Sequence, residues 1–205
     1  MQTLVKGLAI GFSIAAPVGP IGLLCIRRSL ADGRLAGFVS GLGAATADAL
    51  YGLVAALGLT AVMHALVAHR VWLQVGGGGF LLYLGTATLL AKPPAVGGAN
   101  PLAAAANLRA AYFSVFALTL TNPMTILSFI GIFAGLGLGA SAGGATPACW
   151  LVTGVFLGSA AWWLLLSTVA GWLGRHLQHS GLRFMNLASG LIIGGFGVWQ
   201  LAKLF

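Results

Sequence analysis

The sequence predicts an all-α integral membrane protein: six transmembrane helices form two inverted three-helix repeats, with proline-broken helices 1 and 4. Three observations lead there. Only 6% of the 205 residues are charged and 59% are hydrophobic, whereas a soluble domain carries about a quarter charged residues. Several apolar runs reach the roughly 20 residues that a spanning helix needs, and none shows the alternation of an outer-membrane barrel. The runs also fall into two groups of three that match one another in order.

The predicted spans cover about 3–26, 36–63, 71–91, 112–137, 147–172 and 184–204. The first follows Lys6 and has the small residues Ala15 and Ala16 of a signal-peptide end, but its apolar character continues to Ile26. It therefore reads as a membrane helix rather than a cleaved leader. The longest connection, Pro93 to Ala111, is rich in Pro, Gly and Ala. It divides one transmembrane domain, 1–205, into a first repeat of about 1–92, a linker of about 93–111 and a second repeat of about 112–205.

In the third span of each half, Gly79, Leu90, Ala91 and Lys92 match Gly190, Leu201, Ala202 and Lys203, all 111 residues on. In the second spans, Val39, Gly41 and Thr46 match Val152, Gly154 and Ser159, 113 residues on. The first spans carry Pro17 and Pro123. An odd number of spans per repeat makes the second half enter from the opposite face, an architecture common among secondary transporters.

Charge sets orientation. Arg27, Arg28, Arg34, Lys92, Arg109, Arg175 and Arg183 fall in loops on one side; Lys6, Arg70 and Lys203 fall on the other. The positive-inside rule places the larger group in the cytoplasm and both termini outside. A re-entrant first run would leave five crossings and flip the amino terminus. With the basic residues so used, and no basic stripe with interleaved aromatics, nucleic acid is not an expected partner.

Of the two acids, Asp32 sits in a loop beside Arg27, Arg28 and Arg34, while Asp48 lies deep in the second span. A carboxylate at that depth costs roughly 2.5–3.5 kcal/mol on insertion scales and is rarely kept without a role or a partner. Thr46 and Tyr51 are the nearby polar partners, with Tyr51 about one turn away; the alternative is a protonated carboxyl hydrogen-bonded to a neighbouring helix. The repeat counterpart of Asp48 is Ala161, so the acid is not duplicated.

The segment Ala16-Pro17-Val18-Gly19-Pro20-Ile21-Gly22 carries two prolines that each remove a donor, and glycines that loosen the chain. A break here exposes carbonyls before it and N–H groups after it, which at membrane depth must face protein or water. A plain proline kink is the alternative. Asn122-Pro123, flanked by Thr121 and Thr125, stands at the corresponding place in the second half. Paired breaks in inverted repeats point to a substrate site between them. The expected site residues are Pro17, Gly19, Pro20, Gly22, Asp48, Tyr51, Thr121, Asn122 and Pro123, with Asp48 also carrying proton coupling.

Other features carry less. Gly7-xxx-Gly11, Gly154-xxx-Gly158 and Gly190-xxx-Gly194 let helices approach closely, within one chain or in a homodimer. Trp72, Trp150, Trp172 and Trp199 read as interfacial anchors. Gly76 to Gly79 lacks the Lys-Ser/Thr of a phosphate loop. Cys25 and Cys149 lack metal-ligand spacing. His64 and His69 lie at a span boundary, and His176 and His179 in a loop without an acid. No Ser-His-Asp set, HExxH or ATP motif occurs, so neither an enzyme nor a cofactor is expected.

The run Gly11-Phe12-Ser13-Ile14-Ala15-Ala16-Pro17-Val18-Gly19-Pro20-Ile21-Gly22 resembles the LysE/RhtB family of amino-acid exporters. So do Gly33-Arg34, Gly37, Ser40-Gly41, Thr46-Ala47-Asp48 and Leu120-Thr121-Asn122-Pro123. The family often has Pro-Gly-Pro where this chain has Pro17-Val18-Gly19-Pro20, one residue longer. The resemblance implies a carrier in the bacterial inner membrane, with lipid and a small-molecule substrate as partners. It further implies proton-coupled export of amino acids or related metabolites. An inorganic-cation exporter is the rival within the superfamily, though a single carboxylate ligates a divalent ion poorly. A non-transporting membrane protein is the rival outside it.

Overall fold

The computed structural model describes residues 2–57, 60–90, 101–135, 145–174 and 179–204. The elements, in order, are α1 (Gln2–Ala15), α2 (Pro20–Ala31), α3 (Arg34–Ala56), α4 (Thr60–Ala68) and α5 (Arg70–Leu90), then α6 (Pro101–Leu120), α7 (Pro123–Gly135), α8 (Ala145–Gly174) and α9 (His179–Ala202). Arg34–Ala56, Arg70–Leu90 and Thr146–Gly174 are each long and apolar enough to cross a bilayer. Two bent pairs bring the count to five if each is one span, and Asn186–Ala202 is a shorter apolar helix. The protein is a multi-pass membrane protein.

Both predicted breaks are present. The axis turns by 83° between α1 and α2 and by 61° between Ala105–Leu120 and Pro123–Ile132. Proline chemistry accounts for the first. Pro17 has no N–H to give the Ser13 carbonyl, and Pro20 has none to give that of Ala16. The last bond of α1 runs from the Ala16 N–H to Phe12 O at 3.0 Å. The helix restarts with Pro20 in its first turn, where the fixed φ suits and the missing donor costs nothing. A simple kink does not describe an 83° turn across four residues.

Four expectations need correction. Arg27 and Arg28 lie inside α2, Arg34 opens α3 and Arg183 lies inside α9, none of them in a loop. Arg109 lies inside α6, because helix begins at Pro101 and occupies the second part of the predicted linker; Ala103 to Ala106 are strong helix formers after an N-terminal proline. The predicted run 36–63 is divided, since α3 ends at Ala56 and α4 starts at Thr60. The predicted loop holding His179 is the start of α9. Residues 93–100 of the linker, Ala91, Lys92, Arg175 and His176 lie outside the described residues.

Small residues set the packing. Cβ atoms added at Gly7 and Gly11 would overlap the carbonyls of Leu151 and Val155, and at Gly154 and Gly158 those of Leu4 and Leu8. Both residue pairs thus serve contact within the chain, with numbers rising together, so α1 and α8 run parallel. Tyr51 reaches Leu120 and Gly43 faces Tyr112, which makes α3 and α6 parallel as well. Gly41 against Trp163 and Gly52 against Val155 make α3 and α8 antiparallel. Gly78 against Gly197 and Gly85 against Gly190 do the same for α5 and α9. Between α2 and α3, Gly33 adopts φ +92°, open to glycine and strained for other residues, and α3 starts at once.

Two apolar clusters result. One gathers Leu24, Ala44, Leu81, Val115, Trp163 and Ile193. The other gathers Ile10, Tyr51, Ile126, Phe129, Leu151 and Val155. Asp48 falls on α3 between Ala44 and Tyr51, at the seam of the two.

Candidate functional site

Asp48 is 3% exposed. The Ser159 hydroxyl of α8 donates to its Oδ2 at 2.7 Å, and Trp163 Nε1–H donates to Ser159 Oγ at 3.1 Å. Ser159 and Trp163 stand one turn apart on α8, so the antiparallel α3–α8 contact delivers both to the acid. A buried carboxylate with so few donors is under-solvated compared with water, which favours partners that bring a positive charge or a proton.

The acid lines a cavity of about 790 Å³. The first break supplies Pro17, Gly19, Pro20 and Gly22 to its wall, and the second supplies Asn122 and Pro123. Seven of the nine expected site residues are therefore on one cavity. By helix geometry, the N–H groups of Ile21 and Gly22 have no partner within α2. The Gly19 N-cap is extended and makes no side-chain cap bond, and a Cβ placed on it would meet nothing within 4 Å.

Tyr51 and Thr121 are the two that the cavity wall does not include. The Tyr51 hydroxyl donates to the Leu120 carbonyl at 2.6 Å, and its ring packs on Phe129 at 5.5 Å. It ties α3 to the end of α6 rather than partnering Asp48, because its longer side chain overreaches the acid. The Thr121 hydroxyl donates back to Ala117 O at 2.9 Å, and the residue lies against Gly77 of α5. Thr46 does not serve Asp48 either: it donates to Leu42 O and accepts from Tyr112.

Asn122 is on the wall but already engaged. Its Oδ1 accepts from the Met124 N–H at 3.0 Å, an N-cap for α7 with Pro123 in the first position. The Asn-Pro pair is thus a helix-start device.

Residues that the sequence did not assign to the site complete the wall. Thr119, 2% exposed, lies beside the second break. Exposed Arg70 and Lys203 also line the cavity, with Gln74, Gln200 and Trp199. Gln74 and Gln200 bond each other's backbone carbonyls and join α5 to α9. The placement of Arg70 and Lys203 on one side of the membrane was the available signal. Nothing in the sequence said that they share a cavity with Asp48.

On the opposite end of α3, Arg28 is held by three acceptors. It donates to Ser40 Oγ at 2.9 Å, Ala111 O at 3.0 Å and Ser114 Oγ at 2.9 Å, which joins α2, α3 and α6. Ser40 precedes Asp48 by about 12 Å along the helix. Among the described residues no group of three or more His, Cys, Asp or Glu side chains gathers as metal ligands would. Cys25 is buried and Cys149 exposed, both as free thiols.

Comparison with known proteins identifies the family. The family described as "LysE type translocator" matches residues 12–203. Over 203 residues the chain is 28% identical to the "Putative amino acid efflux protein YcgF" of Bacillus subtilis (strain 168), covering 97% of this chain and 95% of that protein. No solved structure matches. With the match running through both helix breaks and the acid between them, the chain belongs to the LysE type translocator family.

Proposed function

We propose that this protein is a secondary active exporter of amino acids in a bacterial inner membrane, driven by proton entry and working by alternating access. One observation carries the reading: the deep carboxylate of Asp48 opens onto a cavity bounded by both helix breaks. Asp48 takes the substrate ammonium. The N–H groups at the start of α2, at the positive end of that helix, take the carboxylate. A proton arriving from outside then displaces the ammonium from Asp48 and releases the substrate. The efflux activity in the name of the Bacillus subtilis relative supports export of this substrate class.

The packing directions support the inverted repeat. Exchanging α1/α2 with α6/α7, α3 with α8 and α5 with α9 turns the parallel α1–α8 contact into the parallel α6–α3 contact. The same exchange maps the α3–α8 and α5–α9 contacts onto themselves. Since α3 and α8 are antiparallel, α1 and α6 point in opposite directions, as inverted repeats require. The six-span arrangement takes α9 as the sixth crossing. With the positive-inside orientation, the Arg70 and Lys203 end faces outside and the Arg28 end closes the cytoplasmic side. Opening inward then means parting α2 from Ser40 and Ser114.

Asp48→Asn tests the proposal. Asn keeps an oxygen for the Ser159 hydroxyl but neither charge nor titration, so the variant folds and its export from loaded proteoliposomes is lost. Wild-type flux in that variant would remove Asp48 from the cycle. An inorganic cation is a poorer substrate here, because Asp48 has a serine and an indole for company rather than further carboxylates.

A further inference from the structure

The charges on the cavity wall are unequal in number and place. Asp48 is buried, Arg70 and Lys203 are exposed on the same cavity wall, and no second acid occurs among the described wall residues. Lys203 is fixed in position, its Nζ 3.6 Å from the centre of the Trp199 ring. The wall also presents apolar side chains, Ile14, Val18, Leu127 and Phe196, beside neutral polar ones such as Thr125 and Ser128.

We infer that Arg70 and Lys203 form a cationic rim that makes this site selective for amino acids with a single ammonium group and an apolar side chain, against those with a second cationic group. Asp48 neutralises one positive charge. A second one on the substrate side chain has no acid to meet and must pass or face two cations. A carboxylate is drawn to the same rim. Like-charge contact of this kind acts chiefly by excluding the wrong ligand. The inference rests on the proposed carrier function and names its substrate class.

Norleucine and lysine are the discriminating pair, since they share an unbranched aliphatic side chain and differ by the terminal ammonium group. In counterflow with wild-type proteoliposomes, norleucine exchanges faster than lysine by about tenfold or more, a margin that one unfavourable charge contact supplies. The Arg70→Gln/Lys203→Gln variant narrows that ratio by raising lysine exchange, and Arg70→Lys/Lys203→Arg restores it. Raising ionic strength narrows the wild-type ratio through screening and leaves that of the double-Gln variant unmoved. Lysine exchanging as fast as norleucine in the wild type overturns the rim inference while leaving the carrier in place. A ratio indifferent to the rim substitutions overturns it too. If neither amino acid exchanges, the carrier reading itself fails and takes this inference with it.

Discussion

The two helix breaks differ more than their shared prolines suggest. The first spans Ala16 to Gly19, turns the axis by 83° and starts its second helix with no side-chain cap. The second occupies Thr121 and Asn122, turns by 61° and is secured from both sides. Asn122 caps α7, and Tyr51 occupies the Leu120 carbonyl that the broken helix would leave open. The first break thus leaves backbone donors directed to the cavity, whereas the second consumes its own polar groups. On the proposed reading the first break binds substrate and the second supports the wall.

That contrast can be broken by experiment. The largest expected effect on stability comes from Tyr51→Phe, which removes only a hydroxyl but strands a carbonyl at the end of α6. We expect a loss of about 2 kcal/mol, measured by denaturation in detergent. No loss would show that water or another group serves that carbonyl and that the second break is less secured than its geometry indicates. Asn122→Ala follows, at about 1 kcal/mol, with Asn122→Asp or Asn122→Ser restoring stability because each can cap a helix. If Asn122→Asp keeps stability but loses transport, the residue also touches substrate.

The smallest stability effect belongs to Gly19→Ala. Its φ of −106° is accessible to alanine and a Cβ there meets nothing within 4 Å, so stability changes by less than about 1 kcal/mol. Transport is expected to fall nonetheless, because the new methyl group would stand where, on the proposed reading, backbone N–H groups meet the carboxylate. Loss of fold without a transport-specific defect would place Gly19 with the structural glycines rather than with the site. Together the three substitutions separate the binding break from the supporting one.

Much of the site was legible because its chemistry is expensive in a membrane. Proline inside an apolar run and a lone deep carboxylate violate the ordinary rules of a spanning helix, so Pro17, Pro20, Pro123 and Asp48 stood out without coordinates. The same logic misjudged Tyr51 and Thr121. Proximity along the sequence suggested partners, but a tyrosine one turn from an acid can reach past it to a neighbouring helix. Asn122 lines the cavity, and its capping role follows from the Asn-Pro order only once α7 is seen to begin there. Arg27, Arg28 and Arg109 were misplaced because charge alone was taken to mark a loop. Helix ends accommodate arginine where its guanidinium finds acceptors, as Arg28 does.

The sequence by itself determined that the chain lies in a membrane, where the two proline breaks fall and which residue carries the buried charge. These follow from local covalent chemistry: missing N–H groups, fixed φ and the cost of desolvating a carboxylate. Tertiary structure alone decided which partners that charge has and which cations share its cavity. Ser159 and Trp163 of α8 are brought to Asp48, and Arg70 of α5 and Lys203 at the end of α9 to its cavity, by helix directions and close glycine contacts. Such contacts depend on the relative register of helices distant along the chain, and an apolar sequence with many similar faces does not encode that register in any one segment.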